Sequence, residues 1–155
     1  MSRIQLTDGS PVPEDRSHTE IDPKTGQQKG YVVLSPEERA KGFVKPVRHS
    51  YIHEKCGGRT SMGQALSETY ARDPHFYSGT FCCTCGTHFP LNEFHWTDGE
   101  PMDPEKQEAW NAERDAREKR EREERRVRRI AELERELVTL KGSGSTVTGE
   151  PTCGG

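Results

Sequence analysis

His53-Glu54-Lys55-Cys56-Gly57 is matched further along the chain by Cys82-Cys83-Thr84-Cys85-Gly86. Each stretch sets two metal-binding side chains apart by two residues and follows them with glycine, the arrangement by which a protein builds half of a tetrahedral zinc site. The glycines suit a turn in the left-handed region, which turns backbone amides toward the thiolates. Two such halves predict one closed site with His53, Cys56, Cys82 and Cys85 as its four ligands. Four protein ligands leave no open position for a substrate, so the predicted ion is structural Zn2+.

The residues around these stretches explain why a metal is needed. Leu, Ile, Val and Phe make up only about 15% of the 155 residues, a proportion at which apolar burial struggles to offset chain entropy. They concentrate between Tyr31 and Trp96, a segment small enough that a metal must supply stability the core lacks. The formal net charge is -3, too small for a fully disordered chain. Four of the five cysteines cluster at knuckle spacing, which fits bound metal in a reducing compartment better than a disulfide framework.

Two other donors compete for the site. Cys83 stands only one residue from Cys85, which does not match the first knuckle, and His88, three residues past Cys85, is an alternative to His53. A Cys82/Cys85 redox couple is a further reading of the same spacing.

Residues 1–30 carry scattered prolines and glycines without periodicity, and read as a disordered or extended arm. They lack the apolar run of a signal peptide, and no stretch reaches membrane-spanning length. The expectation is a soluble, cytoplasmic protein. Tyr31-Val32-Val33-Leu34 reads as a strand, and Ser35-Pro36-Glu37-Glu38 as the cap and first turn of a short helix stopped by Gly42.

Pro46 makes the strand entering the first knuckle an edge or broken strand. Met62, Ala65, Leu66, Thr69 and Tyr70 fall at helical spacing between the knuckles, and Asp73-Pro74 ends that run. Phe76 to Cys82 reads as a strand feeding the second knuckle, with Phe89, Leu91, Phe94 and Trp96 as packing residues after it.

Asp103-Pro104-Glu105 starts a helix that meets no glycine or further proline until Gly142, so residues 104–141 predict a rod of roughly 57 Å at 1.5 Å per residue. Glu113/Arg117, Glu118/Arg122, Glu121/Arg125 and similar pairs place acid four residues before base, which lets such a helix stand in solvent. Near its end Ile130, Leu133, Leu137 and Leu140 follow 3-4-3 spacing, a coiled-coil seam of under two heptads and a contact for another protein or for weak self-association. Residues 142–155 read as a flexible tail.

The fold class that follows is α+β: a zinc-ribbon-like domain at residues 31–100, preceded by the arm and followed by the long charged helix. His53-x-x-Cys56-Gly57 and Cys82-x-x-Cys85-Gly86 resemble the two knuckles of a zinc ribbon or of the related treble-clef group, over roughly residues 43–96. The chain departs from that pattern in using one histidine and in carrying the helical segment Met62 to Tyr70 between the knuckles. The stretch from Tyr70-Ala71-Arg72-Asp73-Pro74 through Phe89-Pro90 is also similar to small uncharacterised proteins of tailed bacteriophages, which implies action in a host cytoplasm.

The function expected is that of a non-enzymatic, zinc-stabilised binding or adaptor protein making protein-protein contacts. The alternative is nucleic-acid binding through Lys45, Arg48, Lys55 and Arg59, basic residues beside the first knuckle with Phe43 and Tyr51 near them. More distant is a metal-dependent hydrolase, drawn from His49, His75 and His95 with Asp73 or Glu93 but lacking a nucleophile or general-base motif.

Overall fold

The computed structural model describes residues 2–148, the last six of them by backbone alone. It is a mixed α+β structure whose chain divides into two compact units, residues 1–111 and 112–155. No helix among the described residues is long and apolar enough to cross a membrane.

The first unit is built on three small antiparallel sheets. β1 (Ile4–Leu6) pairs with β2 (Val32–Leu34), setting Ile4 opposite Leu34 and Leu6 opposite Val32. Within the stretch expected to be a disordered or extended arm, residues 4–6 are thus a paired strand. A second pinning point lies at Gly26, whose φ of 78° needs glycine and where an added Cβ would sit 1.9 Å from the Gly86 carbonyl oxygen. Three residues carry no periodicity of their own; β1 is a strand because β2 offers it a ladder of donors and acceptors.

The short helix α1 (Pro36–Arg39) is capped as its sequence predicts, the Ser35 hydroxyl accepting the Glu38 amide at 3.3 Å. Arg39 pairs with Glu68 and thereby ties α1 to α2 (Gln64–Arg72). Thr69 on α2 also accepts the Leu34 amide at 3.2 Å, so the helix between the knuckles is held against β2.

β3 (Ser50–His53) enters the first knuckle and β4 (Arg59–Ser61) leaves it. The sheet order is β4-β3-β7, with β7 formed by Phe94–Trp96, so β3 is the central strand. Of the expected edge or broken strand, the edge position fails because β3 is central, whereas the run from Phe43 is indeed broken: residues 43–49 form no strand, β3 starts at Ser50, past Pro46, and the missing amide never enters the ladder. β5 (Gly79–Cys82) and β6 (Thr87–Pro90) flank the second knuckle in the same way.

The core lies between these sheets and α2. Tyr51, Tyr70, Cys82, Leu91, Phe94, Trp96 and Met102 are buried together. Tyr51 meets Phe94 and Trp96 edge-on, with centroids 5.4 and 6.3 Å apart, and Tyr70 meets Trp96 at 5.4 Å. The Tyr51 hydroxyl donates to the Phe81 carbonyl at 2.6 Å, which links the first knuckle's strand to the second's. Aromatic rings thus do the work for which a chain this poor in aliphatic residues has little other material.

α3 (Pro104–Thr148) begins with Asp103 accepting the Glu105 amide at 3.1 Å, the predicted acidic cap. It does not stop at Gly142, and residues 142–148, read from sequence as tail, are helical. A glycine inside a helix costs about 1 kcal/mol, a penalty without the steric veto that proline carries. The rest of the predicted tail, residues 149–155 with Cys153, lies outside the described residues.

Candidate metal centre

His53 ends β3 and Cys56 sits in the turn that follows; Cys82 ends β5 and Cys85 sits in the corresponding turn. Both turns close alike. The Gly57 amide donates to the His53 carbonyl at 2.7 Å, and the Gly86 amide to the Cys82 carbonyl at 2.8 Å. Gly57 and Gly86 take φ of 73° and 71°, the left-handed conformation their sequence position predicts. Beyond the turns, amides face sulfur: Gly58 donates to Cys56 Sγ at 3.3 Å, and Cys85 to Cys82 Sγ at 3.4 Å.

The two turns bring one ligand atom of each of the four predicted residues within 4.8 Å of the others. His53 Nδ1 lies 3.3 Å from Cys56 Sγ and 3.6 Å from Cys85 Sγ, and Cys56 Sγ lies 3.6 Å from Cys82 Sγ. A tetrahedral ion with sulfur at about 2.3 Å and nitrogen at about 2.0 Å sets sulfur–sulfur edges near 3.8 Å and sulfur–nitrogen edges near 3.5 Å. The close pairs of the cluster match those edges, and the set can hold a metal ion.

Electrostatics argue the same way. The Gly58 amide holds the Cys56 thiol below its ordinary range. Desolvation among its neighbours, reinforced by Cys56 and Cys82, pushes the Cys85 thiol up to about 11. A divalent cation between the sulfurs would relieve the crowding that holds the Cys85 thiol protonated.

The imidazole is oriented from behind. His53 is almost wholly buried between Phe89, with centroids 4.4 Å apart, and Phe94, at 4.7 Å. With Nδ1 turned to the sulfurs, Nε2–H donates to Glu93 Oε1 at 3.0 Å. The His53 hydrogen bond, together with Lys55 at 3.3 Å, holds the Glu93 carboxyl below the usual carboxylate range.

Glu93 is forty residues from His53 in sequence, so no local spacing could reveal it as this partner. Glu93→Gln should lower metal affinity about 10–100-fold with little change in fold, measured by competition against a chromophoric chelator; unchanged affinity would show that the carboxylate does not tune the ligand.

The competing donors go elsewhere. Cys83 Sγ donates to the Arg59 carbonyl at 3.2 Å and its amide to Thr60 Oγ1 at 3.0 Å, so Cys83 fastens the second knuckle to β4. His88 Nε2 lies 2.8 Å from the Tyr31 hydroxyl, and burial lowers its pKa. The histidines of the hydrolytic drawing do not converge: His49 Nδ1 meets Ser67 Oγ at 3.0 Å, His95 Nδ1 meets Glu54 Oε1 at 3.4 Å, and the His75 amide donates to Asp73.

The basic residues near the first knuckle are largely engaged by acids. Lys45 Nζ lies 3.4 Å from Glu100. Arg48 pairs with Asp98 and Glu100 at 3.0 Å each and lies over the Trp96 ring at 4.6 Å. Lys55 pairs with Glu93, and Arg59 donates to Ser50 Oγ at 3.2 Å. Ile130, Leu133, Leu137 and Leu140 are all exposed along α3.

Comparison with family models, with curated proteins and with solved structures yields no match for this chain.

Proposed function

We propose that the chain is a non-enzymatic binding or adaptor protein whose first unit is a zinc-ribbon-like module stabilised by one structural Zn2+. The observation that carries this reading is the four-donor cluster itself, closed by three sulfurs and an imidazole that Glu93 orients from outside. A set of three thiolates and one imidazole at tetrahedral spacing suits Zn2+, which has no redox chemistry of its own. Two hairpins, each bearing a knuckle, are what the ribbon resemblance implies, with α2 as this chain's addition between them.

Such an ion contributes to folding rather than to turnover, since four protein ligands leave it no position for water or substrate. Binding is then the work of exposed surfaces. The apolar stripe on α3 is the protein contact, and a cytoplasmic setting, a phage's host included, keeps the thiolates reduced.

The nucleic-acid reading is weaker, because affinity for phosphates needs cations that acids have not already neutralised. Metal analysis of the purified chain tests the proposal: one zinc per chain is expected, with no retention on DNA or RNA at low salt. A metal-free, fully folded protein overturns the zinc reading, and salt-dependent retention replaces the protein-binding role with the nucleic-acid one.

A further inference from the structure

In the second unit, Ile130, Leu133, Leu137 and Leu140 are between 42% and 67% exposed, on a helix otherwise rich in charge. Apolar side chains repeated at 3-4-3 spacing form one stripe along a helix, and a stripe this regular is the seam of a coiled coil. Lettered as heptads, Ile130 and Leu137 take the a positions and Leu133 and Leu140 the d positions. One of the two a residues, Ile130, is β-branched, and with leucine at d that combination favours two strands.

Upstream the register meets Glu123 at a and Arg126 at d, so the apolar seam ends there. Val138 at b and Val127 at e are exposed beside the stripe, Val138 on the outer face.

The flanking charges choose the occupant. Arg129 and Glu136 are at g, Glu134 and Lys141 at e. In a parallel, in-register pair each g residue faces the e residue five positions on in the other helix. Arg129 then meets the other copy's Glu134, and Glu136 meets the other copy's Lys141. Both pairs are opposite in sign, and twofold symmetry makes each occur twice.

Turned antiparallel with the same apolar layers, the seam would set Glu134 against its own counterpart and Glu136 against its own. Those contacts repel. We propose that a second copy of this chain covers the stripe, as a short parallel coiled coil in register over residues 130–140.

The inference rests on the reading of α3 as a protein contact and deepens it by naming the partner. An unrelated helix would have no reason to find its charges answered at both flanks, whereas this chain answers its own. Within one helix Arg129 already lies 3.1 Å from Glu132 and 4.0 Å from Glu136. Those pairs are exposed, so exchanging them for the Glu134 of a second copy removes little. Parallel pairing carries two metal modules on one dimer, which strengthens binding to any repetitive partner through effective concentration.

Sedimentation equilibrium of the full zinc-loaded chain, up to about 100 µM, tests this, because a dimer this short dissociates on dilution. The wild type should move reversibly between 17.6 kDa and twice that mass, and Leu133→Asp/Leu137→Asp should remain at the lower value. Val138→Asp, on the outer b position, should associate like the wild type.

Since a double aspartate can disturb the helix, charge variants decide orientation. Glu134→Arg should weaken the dimer by tenfold or more, and adding Arg129→Glu to it should recover most of the loss. A wild type that stays monomeric throughout overturns the inference while leaving the zinc module intact. A dimer indifferent to Glu134→Arg overturns the parallel register. A chain stripped of metal that still dimerises supports the seam, since α3 owes nothing to the metal module, while a first unit that stays fully folded in that stripped chain sinks the zinc reading instead.

Discussion

Cys85→Ser is expected to lose its metal and its tertiary structure together. Cys56 Sγ and Cys82 Sγ lie 3.6 Å apart, a spacing that suits two thiolates sharing a cation and sets like charges side by side once the cation is gone. Structural zinc supplies an apparent 10–16 kcal/mol at neutral pH, and a whole domain is stable by only about 5–15 kcal/mol, so forfeiting one of four ligands exceeds what aromatic packing can absorb. Near-UV circular dichroism from Trp96 and Tyr51 should collapse. Helical signal from the exposed length of α3 should persist, because that segment owes nothing to the core. A variant with wild-type metal content and an unchanged melting curve would remove the structural-metal argument altogether.

Gly58→Val should be nearly as damaging, by a route that leaves all four ligands in place. A Cβ at Gly58 would lie 2.0 Å from Thr84 Oγ1 and 2.7 Å from Thr84 Cβ. The hydroxyl can rotate away, but the Cβ of Thr84 cannot, so the two knuckles must part. Overpacking of this kind costs about 1–3 kcal/mol in an ordinary core, and here it also pulls the Gly58 amide off Cys56 Sγ.

The double variant Gly58→Val/Thr84→Gly restores room and should recover most of the lost stability and metal affinity. Gly57→Ala is the contrast: nothing lies near its Cβ, and its cost of about 1–2 kcal/mol comes from the left-handed backbone alone. If Gly58→Val binds metal and melts as the wild type does, the apposition of the knuckles at Gly58 and Thr84 is wrong.

How much of this was legible beforehand depended on how far each signal reached along the chain. The four-donor cluster was legible because a knuckle is a local object: two donors and a glycine within five residues dictate the turn and the direction of the sulfurs. The Ser35 and Asp103 caps were legible for the same reason. Cys83 shows the limit. Spacing ranks it below Cys82, yet only the approach of β4, whose Arg59 carbonyl accepts the Cys83 thiol, says what that side chain does.

Glu93 stood in plain view as an acid near histidines and suggested hydrolysis. Its actual partner is the His53 imidazole, whose other nitrogen faces the cysteine sulfurs and which is brought to it by β3 and β7 lying side by side. The basic residues Lys45 and Arg48 looked free in sequence because Asp98 and Glu100 are some fifty residues away.

By itself, then, the sequence determined the chemistry that is written within a turn of chain: the four clustered donors, the glycines behind them, the caps, and the spacing of the apolar stripe on α3. Those follow from short-range geometry, which spacing encodes directly. The tertiary structure alone decided that β1 would be a strand, that β3 would be central, that Glu93 would orient His53, and that Gly58 could carry no side chain. Each of these depends on a surface built by residues distant in the chain, and no local pattern can specify what the far side of a contact will be.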